Sequence, residues 1–476
     1  MKTVAIIGAG ITGLTTAYYL KRAGFSVKLF EVKGRAGGAI RSIRKDGYIA
    51  ECGPNTILET SPKITKLIQD VGLLSRRMET KPDSKTRFLV RFGRPIAAPN
   101  SPIDFLKTDL FSFSAKLAFF REPFISKRRQ GDEESVADFV VRRLCPEFLD
   151  HAVDAMVGGI YAGDPSKLSL QHAFPKLMKL ETLYGSLIKG QIFGARKRTK
   201  THEIAKDRAS AFSFDEGLEV LPERISLILG DRVELETRLT GISQTSDGWS
   251  LRLLNAGEEV HTEFDAVVYA GSTINLAKLP LELLRDTYFA HQAKATEFFD
   301  LNLFSEIRYP PVSSVVLGYR REDVAHPCKG FGMLIPKVEN FRILGTLFSS
   351  VMFPNRAPEG HLTFTSYIGG ERNPNTASLA PEELFTLVHE DLKRLLNIKG
   401  LPTFRHHAYF PSAIPQYNVG YGRFLKLMAY IEDRAKGLFF AGNYRGGISL
   451  ADSIVSGCNM AERVGHFLKS THTVNA

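Results

Sequence analysis

A glycine-rich turn near the start of the chain constrains the fold more than any other feature. Gly8, Gly10 and Gly13 follow a short apolar run from Thr3 and precede a segment, 14–23, with a helical pattern. In this spacing the first glycine allows a tight turn, the second lets a pyrophosphate approach the backbone, and the third allows close helix–strand packing. The N–H groups of the helix N-terminus would bind the phosphates. The spacing predicts a dinucleotide-binding βαβ unit.

An acidic residue and a second set of glycines extend this motif. Glu31 ends a predicted strand from Ser26, about as far from the turn as a carboxylate that binds ribose hydroxyls. Glycines recur in 34–41 and at Gly53, as expected where the backbone follows a cofactor longer than NAD. The pattern therefore predicts FAD. The residues expected to bind it here are Gly8, Ala9, Gly10, Ile11, Thr12, Gly13, Glu31, Arg35, Gly38, Ala39, Arg41, Gly53, Pro54, Asn55 and Thr56.

The composition is that of a globular protein from a reducing compartment. Of the 476 residues, 43% are hydrophobic and 24% are charged, which are ordinary globular values. The four cysteines are far apart, with no CxxC pair and no histidines at ligand spacing. We therefore expect no bound metal, no disulfide framework and a cytoplasmic location.

The uncharged run 3–20 resembles a targeting segment. Its glycines lie at the cofactor spacing and no cleavage site follows in good context, so we expect a strand and a helix with no transit peptide before them. No other uncharged apolar run reaches the roughly 20 residues that a bilayer crossing needs.

The net charge of +11 is partly clustered, in 127–129 and 189–208. We expect no nucleic-acid partner, because no binding module accompanies the charge. Attraction to anionic lipid or to an anionic substrate fits better, although a solvated basic loop explains 189–208 equally well. Phenylalanines and leucines are concentrated in 101–125, mixed with charges. This segment predicts either a helical pair in the membrane interface or ordinary core packing.

Cofactor-type elements recur in the middle and at the end of the chain. Strands are predicted at 232–236, 249–254 and 264–270, and a last strand reaches Gly442 before a helix that starts near Ile448. The N-terminus of that helix would favour an anionic reduced flavin. The further residues expected to bind FAD are Val233, Gly442, Ile448, Ser449 and Leu450.

Together with the N-terminal motifs, the segment 437–450 resembles the amine-oxidase-like flavoprotein superfamily over nearly the whole chain. The resemblance implies an α/β fold in which a Rossmann-like FAD-binding domain is joined to a mixed-sheet substrate domain and a helical membrane-facing domain. The expected boundaries are 1–85, 211–275 and 428–476 for the FAD domain, 86–100 and 276–427 for the substrate domain, and 101–210 for the helical domain.

Six further strings resemble the oxygen-dependent protoporphyrinogen oxidase family of haem synthesis, above all its plant-type members. They lie at 158–165, 330–336, 344–350, 353–358, 367–370 and 413–417. The resemblance implies that Arg87 pairs with a substrate propionate and that Leu334 and Leu347 clamp a pyrrole ring. Tyr367 stands where the plant enzymes place a stacking phenylalanine. Gly158 and Gly159 match a loop in which absent side chains let a macrocycle lie near the backbone.

The implied reaction removes six electrons and six protons from a porphyrinogen, with FAD as cofactor and O2 as acceptor. Such a reaction depends mostly on orientation, and no Ser/His/Asp or paired-carboxylate arrangement is apparent, so we assign no catalytic residue. Three alternatives stay open: oxidation of coproporphyrinogen III, another flavin oxidase activity, and a non-catalytic porphyrin or flavin binder. We expect peripheral contact with the inner face of the cell membrane, and a homodimer is compatible with the sequence.

Overall fold

The computed structural model describes residues 1–128, 133–198, 209–284 and 296–473. The strands in these ranges are β1 (Thr3–Ile7), β2 (Ser26–Phe30), β3 (Ser42–Lys45), β4 (Tyr48–Glu51), β5 (Ile57–Leu58), β6 (Arg77–Glu79), β7 (Arg87–Arg91), β8 (Arg94–Ala97), β9 (Ala211–Phe214), β10 (Val233–Glu234), β11 (Thr237–Gln244), β12 (Trp249–Asn255), β13 (Glu258–Phe264), β14 (Ala266–Tyr269), β15 (Leu281–Leu284), β16 (Thr296–Phe299), β17 (Val312–Arg320), β18 (Gly332–Leu334), β19 (Ile343–Leu347), β20 (His361–Gly369), β21 (Phe404–Phe410) and β22 (Leu438–Phe440).

The helices in the same ranges are α1 (Ile11–Arg22), α2 (Pro62–Asp70), α3 (Pro102–Lys107), α4 (Phe113–Arg121), α5 (Val136–Arg143), α6 (Pro146–Phe148), α7 (Asp154–Tyr161), α8 (Leu170–Ala173), α9 (Pro175–Tyr184), α10 (Leu187–Arg198), α11 (Val220–Leu229), α12 (Thr273–Leu276), α13 (Ser349–Met352), α14 (Pro381–Leu396), α15 (Gly422–Arg434) and α16 (Leu450–Thr473). A π-helical turn, Leu149–Val153, leads into α7.

A parallel sheet of five strands joins the beginning, the middle and the end of the chain. Its strand order is β10-β2-β1-β14-β22. Strand β1 pairs with β2 from Thr3 opposite Ser26, and with β14 from Val4 opposite Ala266. Four of the five residues of β1 are buried, as expected for a central parallel strand with both faces covered. The sheet therefore unites the three segments expected to bind the cofactor, while the domain boundaries stay a prediction.

The first and last helices pack tightly against each other. The hydroxyl groups of Thr12 and Thr16 donate hydrogen bonds to the carbonyl groups of Ser453 (3.1 Å) and Gly457 (3.2 Å). A Cβ at Gly457 would lie only 2.7 Å from the Thr12 carbonyl oxygen, so the close approach requires glycine there. This packing holds the start of α16 beside the N-terminal glycine turn.

A mixed sheet of seven strands, in the order β21-β17-β20-β19-β18-β7-β8, forms the other half of the site. Side chains alternate between the two faces of a strand. On one face, Val315, Leu317 and Tyr319 belong to a buried core that includes residues of α14. The opposite face carries the residues expected to bind the substrate. Two further sheets have the orders β13-β12-β11-β15-β16 and β5-β9-β6, and β3 and β4 form a hairpin.

The aromatic segment 101–125 forms α3 and α4, and its apolar side chains are divided between the core and the surface. Core packing is therefore confirmed for some of them, while contact with a membrane stays a prediction. Phe105, Phe111 and Phe119 pack inward around Phe148, with the Phe111 and Phe148 ring centroids 4.3 Å apart. Other apolar side chains of this segment point outward, and Phe113 is 83% exposed. Within the described ranges, none of the helices has the length and apolar content needed to cross a membrane. Of the two basic stretches, residue 129 and residues 199–208 lie outside the described residues.

Candidate active site

The predicted dinucleotide cradle is the turn between β1 and α1. Gly8 has a φ of 103°, which side chains rarely allow, and a Cβ at Gly13 would lie 2.0 Å from the Gly8 carbonyl oxygen. Gly10 differs, because a Cβ there would have no atom within 4 Å. Helix α1 begins at Ile11, and its first N–H groups point out of the helix without partners in it. The turn thus offers open space and hydrogen-bond donors to a phosphate group.

Glu31 follows β2 at the same end of the parallel sheet. Its Oε2 accepts a hydrogen bond from the Ala9 N–H (2.8 Å), and its Oε1 accepts one from the Lys33 N–H (3.0 Å). These bonds fix the carboxylate beside the glycine turn, and each oxygen retains a lone pair for a ribose hydroxyl. Val233 lies on the neighbouring strand β10, opposite Leu29. Both predicted residues therefore lie near the cradle.

The second set of glycines forms a loop against the first. Arg35 donates from Nη1 to the Ile40 carbonyl (3.0 Å) and from Nη2 to the Gly38 carbonyl (2.7 Å). The Gly37 N–H donates to the Ala9 carbonyl at 2.8 Å, which ties this loop to the glycine turn. Arg35 therefore braces the loop from within. Its contact with FAD stays a prediction.

Residues 53–56 lie against this second loop. A Cβ at Gly53 would be 2.3 Å from the Ala39 carbonyl oxygen, so glycine is needed for the close approach. The Cys52 N–H donates to the Arg41 carbonyl (2.9 Å), while the Arg41 side chain is exposed. Pro54, Asn55 and Thr56 then lead into β5. The predicted N-terminal cofactor residues thus come together around one loop cluster.

The C-terminal segment reaches the same place. Gly442 follows β22 with a φ of 140°. At the start of α16, Ser449 Oγ accepts the Asp452 N–H (3.1 Å) and Asp452 Oδ2 accepts the Ser449 N–H (3.3 Å), which is a capping arrangement. Ile448 and Leu450 flank this cap and are partly exposed. Because α16 packs on α1, the positive ends of two helix dipoles lie close together.

Three of the predicted substrate residues lie on the face of the seven-stranded sheet that is turned away from α14. Gly345 is opposite both Leu334 and Tyr367, and Leu347 lies two residues farther along the same strand. The side chains of Leu334, Leu347 and Tyr367 keep some exposed surface, although most of their strand neighbours are buried. The two leucines and the tyrosine ring make this part of the face apolar and incompletely covered, which suits a flat apolar ligand.

Arg87 lies at the edge of this face. It is opposite Gly332 of β18, which is itself opposite Leu347. Its side chain is exposed, with Cζ 5.7 Å from the ring centroid of Phe331. In the described part of the chain no carboxylate pairs with Arg87. The guanidinium is therefore free to bind the carboxylate of a ligand seated on the apolar face.

Gly158 and Gly159 lie in α7, which packs on the sheet. A Cβ at Gly159 would be 2.3 Å from Leu334 Cδ2, and one at Gly158 would be 3.2 Å from Arg372 Nη2. These glycines make room for protein side chains, whereas we expected room for a macrocycle. Gly159 affects the site through the position of Leu334, and direct contact of either glycine with a substrate stays a prediction.

Known proteins with similar sequences and folds place the chain in a family. The family of flavin-containing amine oxidoreductases matches residues 11–465. The chain belongs to this family. Protoporphyrinogen oxidase 2, chloroplastic/mitochondrial, of Arabidopsis thaliana is 36% identical over 98% of this chain and 95% of its own. This similarity confirms the expected resemblance to the protoporphyrinogen oxidases.

Another curated protein and a solved structure are also similar to this chain. Coproporphyrinogen III oxidase of Bacillus subtilis (strain 168) is 28% identical over 96% of each chain. The crystal structure of a candidate protoporphyrinogen oxidase from Exiguobacterium sp. 255-15 has the same fold, with a TM-score of 0.78 at 22% identity over 98% of both chains. The predicted amine-oxidase-like α/β fold is therefore confirmed.

FAD is the cofactor of this chain, as predicted. Its residues fit the group, since Gly10 leaves space for a diphosphate and Glu31 is held ready for ribose hydroxyls. The N-termini of α1 and α16 would contribute partial positive charge to the binding of the phosphates and of the flavin ring. Which individual residues contact FAD stays a prediction.

A contact that the sequence did not reveal joins the cofactor loop to the substrate face. The Tyr367 hydroxyl donates to the Gly53 carbonyl (2.9 Å) and accepts a hydrogen bond from Asn55 Nδ2 (2.6 Å). Burial raises the pKa of Tyr367, so the hydroxyl keeps its proton as a donor. Asn55 and Tyr367 are 312 positions apart in the chain, and the packing of the 53–56 loop against the seven-stranded sheet brings them together. The one signal in the sequence is the tyrosine in place of the family's phenylalanine.

Two titratable side chains lie beside this loop, and neither is activated. Cys52 Sγ is 3.4 Å from His406 Nε2. Burial raises the pKa of the Cys52 thiol to about 11 and lowers the pKa of His406. At neutral pH this gives an uncharged thiol next to an uncharged imidazole. The arrangement supports binding and orientation rather than nucleophilic or acid–base chemistry.

Proposed function

We propose that this protein is a FAD-dependent porphyrinogen oxidase of haem biosynthesis, which oxidises protoporphyrinogen IX to protoporphyrin IX with O2 as the electron acceptor. One observation carries the proposal: an apolar sheet face is hydrogen-bonded through Tyr367 to the 53–56 loop beside the cofactor cradle, and Arg87, which no described carboxylate neutralises, lies at its edge. A flat, apolar ring system with carboxylate side chains fits this combination. The 36% identity to a protein named protoporphyrinogen oxidase supports it.

The protein's contribution to the reaction is binding and orientation. When bound, FAD supplies the acceptor for a hydride from a saturated carbon between two pyrrole rings. Leu334 and Leu347 would contact the faces of the substrate rings, and Arg87 would bind a propionate in bidentate fashion and so set the rotation of the macrocycle. Gly159 would contribute by seating Leu334. Water, rather than a side chain, would take up the N–H protons.

The choice of porphyrinogen is the finer part of the proposal. Coproporphyrinogen III carries two more propionates than protoporphyrinogen IX and would need further cations at the edge of the apolar face. Identity to the protein named protoporphyrinogen oxidase (36%) exceeds identity to the one named coproporphyrinogen III oxidase (28%). The higher identity favours protoporphyrinogen IX.

A fluorometric assay of porphyrin formation from each porphyrinogen tests the proposal. We expect the purified flavoprotein to oxidise protoporphyrinogen IX in air with the higher kcat/KM. A higher kcat/KM for coproporphyrinogen III would transfer the assignment to that substrate. A protein that binds FAD but forms neither porphyrin above the uncatalysed rate would contradict the enzymatic assignment.

We also propose peripheral contact with the inner face of the cell membrane. An outer apolar surface on α3, α4 and the turn that follows supports this, with Phe113 83% and Phe124 86% exposed. Its other members are Ile103, Leu106 and Phe120, and the cations beside it are Lys107, Lys116 and Arg121. Phenyl rings bury in the lipid interface while lysines reach the headgroups. The helical domain 101–210 would be the membrane-facing one, and a homodimer stays a prediction.

A further inference from the structure

The Tyr367 hydroxyl and the Asn55 amide form a closed hydrogen-bond triangle with the Gly53 carbonyl. Tyr367 donates to Gly53 at 2.9 Å, and Asn55 Nδ2 donates to Gly53 at 3.2 Å and to the Tyr367 oxygen at 2.6 Å. Both lone pairs of the Gly53 carbonyl and the single proton of the hydroxyl are thereby used.

This triangle fixes the orientation of the Asn55 amide. If the amide were rotated by 180°, its carbonyl oxygen would face the Gly53 carbonyl, and the Tyr367 hydroxyl could donate its single proton to only one of these two oxygens. Two acceptors would then lie against each other in a residue that is only 6% exposed, which is unfavourable. Nδ2 therefore points to Tyr367 and Gly53, and Oδ1 points the other way.

Asn55 Oδ1 is left as an open acceptor. Within the described residues it accepts no hydrogen bond, and it is not sealed from solvent like the buried unpaired atoms elsewhere in the protein. Asn55 belongs to the 53–56 loop, which packs on Ala39 of the second glycine loop through Gly53 and is bonded to Tyr367 on the apolar sheet face. A hydrogen-bond donor on a ligand beside this loop would have an oriented carbonyl oxygen as its partner.

We propose that Tyr367 is a positioning residue, whose hydroxyl holds Asn55 Oδ1 toward a pyrrole N–H of the bound porphyrinogen. This inference rests on the proposed function. A phenylalanine at the same position would retain the ring for stacking and would leave the Asn55 amide free to rotate. The Tyr367 hydroxyl thus orients the Asn55 amide, in addition to the ring contact that the resemblance to protoporphyrinogen oxidases implies.

The chemistry gives this bond a role in the reaction. When the carbon between two pyrrole rings gives up a hydride to FAD, positive charge spreads to the adjacent pyrrole nitrogens. One N–H proton is then lost to water, so each cycle removes two electrons and two hydrogens from the substrate. A hydrogen bond from that N–H to Oδ1 becomes stronger as the charge develops, and it therefore stabilises the transition state more than the ground state.

The test is a double-mutant cycle on the flavin-loaded enzyme. We expect Tyr367→Phe to lower the limiting rate of flavin reduction by protoporphyrinogen IX about tenfold, with FAD content unchanged. In the Asn55→Ala background, the same substitution should have no further effect, because the hydroxyl acts through the amide. Affinity for protoporphyrin IX, measured by quenching of porphyrin fluorescence, should show the same non-additive pattern without requiring turnover.

Tyr319→Phe is the matched control. Tyr319 is on the opposite face of the same sheet, and its hydroxyl lies 2.9 Å from His389 Nδ1 in the buried core. Its loss should lower thermal stability and leave the rate of flavin reduction unchanged. The inference is overturned if Tyr367→Phe leaves the rate unchanged, if it releases FAD, or if it costs as much in the Asn55→Ala background as in the wild type. If the wild type itself neither oxidises nor binds the tetrapyrrole, the proposed function fails instead.

Discussion

At the scale of single residues, Arg87 is the side chain whose role is easiest to isolate. Replacing it by alanine removes a guanidinium that no described carboxylate neutralises, so the change should disturb the free protein little. Charge-assisted hydrogen bonds contribute about 1.5–3 kcal/mol, so we expect the KM for porphyrinogen to rise roughly 10- to 100-fold with bound flavin unchanged.

Steady-state kinetics and flavin absorbance of the purified variant measure this effect. Arg94→Ala is a suitable control, because Arg94 is an exposed arginine on the next strand, β8, with its side chain 66% exposed. An unaltered KM in the Arg87 variant, or an equal rise in both variants, would rule out the carboxylate-binding role.

The glycine cradle and the acidic residue Glu31 could be predicted from the sequence alone. Both depend on backbone conformation and residue spacing within one short stretch of the chain. Residue identities alone could not predict the bond between Tyr367 and Asn55, which depends on how a loop packs against a sheet 312 positions away in the chain. They also could not show that a side chain at Gly159 would meet Leu334 rather than open space, since that follows from how α7 packs on β18.

At the scale of secondary-structure elements, the turn between β1 and α1 can be tested by filling its open space. Valine at position 10 would have no protein atom near its Cβ and would keep an ordinary backbone conformation, with the φ of Gly10 at −68°. We therefore expect Gly10→Val to fold and to be isolated as a colourless apoprotein, because the valine methyl groups would occupy the space of the diphosphate.

Flavin absorbance and circular dichroism of the variant distinguish these effects. Gly465→Ala provides a control within α16, where the new Cβ would have only an ordinary contact of 3.5 Å with Phe25. That variant should retain its flavin. Recovery of fully flavinated Gly10→Val protein would contradict the assignment of the turn as the phosphate site.

The sequence pattern of α3 and α4 does not determine which of their aromatic rings are buried. The rings of Phe105, Phe111 and Phe119 were as compatible with core packing as those of Phe113 and Phe124, because all five lie in one short segment with mixed charges. Phe148, which lies outside the segment, makes the difference between buried and exposed rings. The rings of Phe105, Phe111 and Phe119 pack against it. The remaining two are left on the surface.

At the scale of the whole molecule, the outer apolar surface on α3 and α4 predicts that the protein binds to membranes. The double variant Phe113→Ser, Phe124→Ser should bind vesicles of phosphatidylcholine and phosphatidylglycerol at least tenfold more weakly than the wild type, since two interfacial rings are lost. Co-sedimentation measures the binding. Phe298→Ser, which removes a ring that is 77% exposed on β16, should bind as the wild type does. Equal binding by all three proteins would contradict membrane contact through α3 and α4.

The overall arrangement follows from a chain that returns twice to its first sheet. The apolar strands at 266–269 and 438–440 could be recognised because each ends in small residues beside the cofactor, Ala270 and Ala441. The order of the seven-stranded sheet could not be, since β7 and β8 join strands that lie more than two hundred positions later in the chain. That sheet nevertheless determines the site, because it sets the residues of its uncovered face beside the flavin loop.

In the proposed function, the apolar face and the bound flavin form one reaction site. Anaerobic titration of the flavin-loaded protein with protoporphyrinogen IX isolates electron transfer between them, because oxygen and later steps are removed from the measurement. We predict that the flavin absorbance bleaches completely, with about one porphyrin formed for every three flavins reduced, and returns when air is admitted. A flavin that stays oxidised in the presence of excess porphyrinogen would show that the apolar face and the flavin do not form one reaction site.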